Sequence, residues 1–165
     1  MSNKAKGSRV ERELIQLFTE NSWRAVRVAG SGVGEDSPCD LLAAKQGKKA
    51  YVIEVKSSRK TTVYITKQQI EDFMLFASII GLTPVIALRF NREGWLFLDP
   101  KYLKDTGKYW AASLQTAKEK GKRFSNFFEN VLQKKSAVND TNKISEEILN
   151  ELDKEDLINL GKDQF

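Results

Sequence analysis

Two short apolar runs, Leu41–Ala44 and residues 50–56, flank the turn formers Gln46-Gly47-Lys48 and read as a β-hairpin. This hairpin constrains the chain more than any other feature, because ionisable residues are set along it in a strict order. Pro38-Cys39-Asp40 opens the first strand, and Glu54-Val55-Lys56 closes the second. Side chains alternate across a strand, so Glu54 and Lys56 share one face while Val55 turns to the other. Pairing of the two strands would bring Asp40 to the same sheet end as Glu54. Carboxylates gathered there repel each other unless a cation stands between them. A divalent metal is the simplest such cation, and a lysine beside it points to phosphate chemistry.

The chain has 165 residues, enough for one ordinary domain plus extra material, and its 41% hydrophobic content is that of a globular protein. It contains no histidine, which removes Ser-His-Asp and Cys-His catalysis and histidine-bound zinc. The single cysteine, Cys39, excludes an internal disulfide and a cysteine-rich metal site; next to Asp40 it reads as a small apolar residue packed inward. Carboxylate, lysine, serine and tyrosine remain, and oxygen ligands of this kind suit magnesium, manganese or calcium. No run approaches a membrane span, and the polar opening lacks the pattern of a signal peptide, so the expectation is a cytoplasmic protein with no membrane partner.

Residues 1–135 hold 24 Lys+Arg against 14 Asp+Glu, a net of +10, whereas residues 136–165 hold 3 against 8, a net of −5. A basic body with an acidic tail suits a polyanionic partner, nucleic acid above all, with an ordinary solvated surface as the alternative. Periodicity predicts a helix over 8–22 and a strand over 24–29, followed by the glycine loop Gly30-Ser31-Gly32-Val33-Gly34. A second helix is expected over 66–80, burying Ile70, Phe73, Met74 and Ala77 and ending at Gly81. Strands over 84–90 and 95–98 follow, joined by a turn at Asn91-Arg92-Glu93-Gly94. Helical patches are read at 111–118 and 124–132. The expected organisation is a domain over 1–133, a linker over 134–142 and an acidic helical tail over 143–165. The expected class is α/β, with a central mixed sheet flanked by helices.

The order of an acidic helix residue (Glu11), then Asp40, then Glu54-Val55-Lys56 resembles the PD-(D/E)XK nuclease superfamily. The fuller set resembles the archaeal-type Holliday junction resolvases: Lys6-Gly7-Ser8-Arg9-Val10-Glu11-Arg12-Glu13, Gly30-Ser31-Gly32, Pro38-Cys39-Asp40-Leu41-Leu42-Ala43, Ile53-Glu54-Val55-Lys56-Ser57 and Tyr64-Ile65-Thr66-Lys67-Gln68-Gln69. Cys39 separates the proline from Asp40, a departure that keeps the carboxylate. The resemblance implies a restriction-endonuclease-like fold and a magnesium-dependent endonuclease, with manganese as a substitute, cutting four-way junction DNA as a homodimer. It implies Asp40, Glu54 and the Val55 carbonyl as metal ligands, with Glu11 in or behind the metal shell. Lys56 would orient the attacking water, and Ser31 would assist at the scissile phosphate. Nucleases for other DNA structures and a non-catalytic DNA-binding module are the rival functions.

Several of these residues carry a second reading. Asp40 could be a turn carboxylate, Glu54 and Lys56 a solvated strand face, and Ser31 a plain loop residue. Ser8-x-x-Glu11 and Thr66-x-x-Gln69 both fit a capping box, so Glu11 and Gln69 stand between helix capping and the site. Lys4, Lys6, Arg9, Arg27, Lys45, Lys48, Lys49, Arg59, Lys60 and Lys67 are candidates to track a DNA backbone, contacts that set position without reading sequence. The apolar strands over 85–88 and 95–98 are read as dimer interface or core. Gly121-Lys122-Arg123-Phe124-Ser125-Asn126-Phe127-Phe128 has the spacing of a sliding-clamp-binding box with Gly121 in place of glutamine, or else packs a terminal helix.

Overall fold

The computed structural model describes residues 3–28 and 38–129, with side chains from Gly7 onward. Ser31, the linker over 134–142 and the acidic tail over 143–165 lie outside the described residues. Helix α1 (Asn3–Glu20) starts at Asn3 rather than at residue 8, since Lys4-Ala5-Lys6 are good helix formers that continue the pattern. Ser8 is therefore inside the helix, and the capping-box reading of Ser8 and Glu11 is corrected. Strands β1 (Arg24–Arg27), β2 (Leu41–Ala44) and β3 (Tyr51–Ser58) form an antiparallel meander. After β4 (Thr62–Thr66) and α2 (Lys67–Ile79), β5 (Thr83–Phe90) returns parallel to β3, and β6 (Gly94–Leu98) pairs antiparallel with β5. The main sheet thus has the order β1-β2-β3-β5-β6, the mixed sheet expected.

A second, three-stranded sheet was not expected. It joins β4, β7 (Lys104–Asp105) and β8 (Tyr109–Ser113) in the order β4-β8-β7. Ala111 and Ala112, expected in a helical patch, pair with Tyr64 and Val63 in this sheet, because packing overrides alanine's helix propensity. The helix begins only at α3 (Leu114–Lys120), where the Ser113 hydroxyl accepts from the Thr116 N–H at 3.0 Å.

Apolar cores lie on the two faces of the main sheet. On one, Val52, Ile86, Leu88 and Phe90 pack with Ile70 and Phe73 of α2 and with Val63, Ile65 and Ala112 of the second sheet. On the other, Ile53, Val85 and Ala87 meet Leu14 and Phe18 of α1. Rings close that side: the Phe128 centroid lies 5.0 Å from Phe18, 4.9 Å from Tyr51 and 4.8 Å from Phe97. Phe124 and Phe128 are buried, which corrects the clamp-box reading in favour of packing. Gly121 is required there, since a Cβ at that position would lie 2.4 Å from the Ala117 carbonyl oxygen. The strands over 85–88 and 95–98 are likewise interior.

Helix α2 ends as expected. Gly81 takes φ +67°, and the N–H groups of Leu82 and Gly81 donate to the carbonyls of Ala77 and Ser78. Met74, expected inside, is 40% exposed, because the buried stripe of α2 runs through Ile70, Phe73 and Ala77 alone. Among the described residues no helix is long and apolar enough to cross a membrane.

Candidate active site

The site forms where β2 stops following β3. Their register ends at Leu41 and Ile53, while β3 continues to Ser58 against β5. The Val55 N–H is left without a ladder partner, and Asp40 Oδ2 accepts it at 2.7 Å. Asp40 is anchored through its own backbone. Its N–H donates to the Ile53 carbonyl at 3.1 Å, and its carbonyl accepts from Val28 at 2.9 Å.

Glu54 points to the α2 side of β3 and, among the described residues, is the one charged side chain that is fully buried, at 2% exposure. Such a group requires partners. Its Oε1 accepts from Lys56 Nζ at 2.5 Å and from Gln69 Nε2 at 2.8 Å. The expected shared face of Glu54 and Lys56 is thus observed. Gln69 serves twice: its N–H is capped by the Thr66 hydroxyl at 3.2 Å, while its side chain reaches Glu54 rather than closing the box.

Burial pushes the Asp40 carboxyl above its ordinary range, against the Val55 N–H and the charges of Lys56 and Arg27, which draw it down. Cys39 is buried as expected. Its thiol is pushed up to about 12, chiefly by burial and then by the charges of Glu54 and Asp40, so both carboxylates act on one point. Lys56 likewise acts on both.

Glu11 occupies the site-ward end of the stripe that continues to Leu14 and Phe18. Arg27 Nε lies 2.5 Å from Glu11 Oε2 but out of line for a hydrogen bond, so this buried oxygen is charge-paired without an aligned donor. Glu13, on the same helix, accepts from Arg89 Nε at 2.8 Å and Trp95 Nε1 at 3.0 Å and so ties α1 to β5 and β6. Among the described residues no three acidic, cysteine or histidine side chains make a metal-holding group. Arg27 stands between Glu11 and Asp40, paired with the first and acting by charge on the second. In donor type Asp40, Glu54 and the Val55 carbonyl fit a hard divalent cation, and the burial that raises Asp40 makes a neutralising ion favourable there.

Of the candidate backbone-tracking residues, Arg9, Lys49, Arg59 and Lys60 are exposed. Others are engaged: Lys67 with Asp105 at 2.9 Å, Lys45 with Glu129 at 3.0 Å, and Lys48 with the Glu129 carbonyl at 3.1 Å. Lys4 and Lys6 lie in the opening turns of α1, outside the described side chains. Sequence reasoning missed the link made by Arg27, whose local sequence is only that of an exposed strand. It also missed the second sheet, although the alternation in Thr62-Val63-Tyr64-Ile65-Thr66 is a readable strand signal.

The archaeal Holliday junction resolvase (Hjc) family model matches residues 2–136. The crossover junction endodeoxyribonuclease Hjc of Methanocaldococcus jannaschii is 40% identical over 104 residues, spanning 62% of this chain and 72% of the relative. Its namesake from Archaeoglobus fulgidus is 32% identical over 132 residues, spanning 76% and 96%. The solved structure of Archaeoglobus fulgidus Hjc, a Holliday junction resolvase, matches with a TM-score of 0.65 at 28% identity over 72% of this chain and 97% of that one. The restriction-endonuclease-like fold agrees with the expectation from sequence. With the family model spanning most of the described chain, this protein belongs to the archaeal Holliday junction resolvase family.

Proposed function

We propose that this protein is a structure-selective endonuclease that resolves four-way DNA junctions by paired, metal-dependent phosphodiester hydrolysis. The observation that carries this reading is the convergence of Asp40, Glu54 and Lys56 where β2 leaves β3, in a chain of the resolvase family. Asp40, Glu54 and the Val55 carbonyl would hold magnesium, or manganese in its place. A bound ion of this kind acidifies a water and stabilises negative charge on the phosphoryl oxygens.

The chain's own residues prepare that chemistry. The Val55 N–H fixes the carboxylate plane of Asp40, and Gln69 fixes Glu54. Lys56 offers its ammonium to the attacking water and to the charge that develops on the phosphate. Glu11 acts as a positioning residue through Arg27. Ser31 is proposed to touch the scissile phosphate, and Lys4, Lys6, Arg9, Arg59, Lys60 and Lys67 to flank the DNA backbone.

Paired cuts need two sites at a fixed separation, which a two-fold homodimer supplies. Exposed Leu75 (61%) and Ile79 (73%), beside Met74 on α2, form an apolar surface suited to a second copy. A sliding clamp is not proposed as a partner through Phe124 and Phe128, which are interior. A cytoplasmic location is proposed, in keeping with a DNA substrate. Residues 1–133 are proposed as the nuclease domain.

Labelled four-way junction and linear duplex of matched sequence, incubated with and without magnesium, provide the test. Symmetric nicks on the junction alone are expected. Equal cutting of both substrates would favour a nuclease of broader specificity, and binding without cutting would favour a silent DNA-binding module.

A further inference from the structure

The outer face of the second sheet carries aromatic, hydroxyl and ammonium groups that the catalytic reading does not use. Strand β4 turns Val63 and Ile65 inward and leaves Tyr64 59% exposed. Register sets Tyr64 opposite Ala111 of β8, and Ala111 opposite Lys104 of β7, so the three share one face in a row across the sheet. Thr66 lies opposite Tyr109 on that face, and the Tyr64 and Tyr109 rings meet edge-to-face at 6.2 Å. Lys108 Nζ sits 5.6 Å above the Tyr109 ring, which holds its ammonium at the face. Among the described residues neither Lys104 nor Lys108 forms an ion pair. The acidic residue of β7, Asp105, alternates to the opposite face and is taken by Lys67.

We infer that this face binds the sugar–phosphate backbone of one junction arm, with the Tyr64 hydroxyl and the ammonium groups of Lys104 and Lys108 on phosphate oxygens. Charge and chemistry select this occupant over a protein partner. The strand face presents hydroxyl groups from Thr62, Tyr64 and Tyr109, beside the helix-capping hydroxyls of Thr66 and Ser113, and it carries no acid and no large aliphatic side chain. Apart from Val26 on β1, the large exposed aliphatic residues among those described lie on α2 or at its end. Position supports it as well. Thr66 caps α2, and three residues later Gln69 bonds Glu54, so the face leads directly into the site. At its other end β4 follows the turn bearing exposed Arg59 and Lys60. Five strand residues span about 17 Å, room for several phosphates of one arm. Such contacts position a substrate without reading its sequence.

This inference rests on the junction-binding reading, and the test separates the two. The full chain and its Lys104→Ala/Lys108→Ala and Tyr64→Ala variants are titrated with four-way junction and with linear duplex across a salt series, and their mass in solution is measured. The double lysine variant is expected to bind junction about tenfold more weakly at 0.15 M salt, with the slope of log K against log salt reduced by about two. Tyr64→Ala should weaken binding several-fold, with its melting temperature and its dimer mass unchanged. Unaltered affinity and salt slope in all variants, with the parent binding junction well, would overturn the inference alone. Loss of dimer mass in Tyr64→Ala would assign the face to a second copy and also overturn it. Parent protein that prefers duplex would sink the junction reading while leaving the arm contact measurable on duplex; parent protein that binds neither would sink both.

Discussion

Tyr51, Val52 and Ile53 at the start of β3 are flanked by β2 and β5 and buried on both faces, whereas the following residues, Glu54 to Ser58, keep only β5. The first half reads as a continuous apolar run, as a fully enclosed strand must. In the second half, the missing neighbour frees a backbone N–H for Asp40 and leaves room for Lys56 beside Glu54. One strand thereby supplies stability at one end and strained electrostatics at the other. The contrast teaches that this site is made by ending a strand pairing early, not by adding an element.

The largest effect expected from this contrast is chemical. Asp40→Asn or Glu54→Gln should lower single-turnover junction cleavage by at least ~10³-fold while junction affinity stays within a few-fold. Loss of binding and of folding together would give these carboxylates a structural role and erase the contrast. In the apolar half, Phe128→Ala should cost about 3–5 kcal/mol in denaturant unfolding, because its ring touches Phe18, Tyr51 and Phe97 at once. A cost below about 1 kcal/mol would show that the aromatic end is not what holds the sheet.

A smaller and opposite effect is expected at Asp40 in metal-free buffer. Its carboxyl titrates higher folded than unfolded, so the folded chain keeps that proton longer, and stability falls as pH rises through the raised value. Asp40→Asn should therefore melt higher than the parent at neutral pH, with the gap closing as the pH is lowered below the ordinary carboxylate range. A variant that melts lower at neutral pH would contradict the burial argument.

The smallest effect lies at Glu129, which accepts from Trp23 Nε1 at 2.8 Å and from Lys45, and whose carboxyl is held below its ordinary value by those two bonds. Its contribution is present above the ordinary carboxylate value and is lost as pH falls through the lower folded one. Glu129→Gln should cost under about 1 kcal/mol at pH 7, since the pair is partly exposed, and nothing in acid. Thermal melting of the two forms across pH measures this directly.

Asp40, Glu54 and Lys56 were legible because a hairpin fixes which residues face each other at two-residue spacing. Gln69 was ambiguous for a physical reason: its backbone caps α2 and its side chain serves Glu54, and one residue type satisfies both demands. Met74 was misplaced because a three-to-four spacing marks a wider stripe than α2 buries. Ala111 and Ala112 favour helix locally and were overruled by Tyr64 and Val63 across the sheet. Glu11 reads as a metal ligand or a cap; α1 starts too early for the cap, and the Arg27 pairing comes from a separate strand that local spacing does not show.

By itself the sequence determined the main sheet's strands along the chain, the lack of histidine chemistry and the pair of carboxylates with their lysine, because these follow from residue type and short-range periodicity. The tertiary structure alone decided that Arg27 stands between Glu11 and Asp40, that Phe124 and Phe128 turn inward, and that β4 finds β8 to make a second sheet. Those outcomes depend on which distant segments compete for the same apolar surface or the same charge, and local spacing carries no record of that competition.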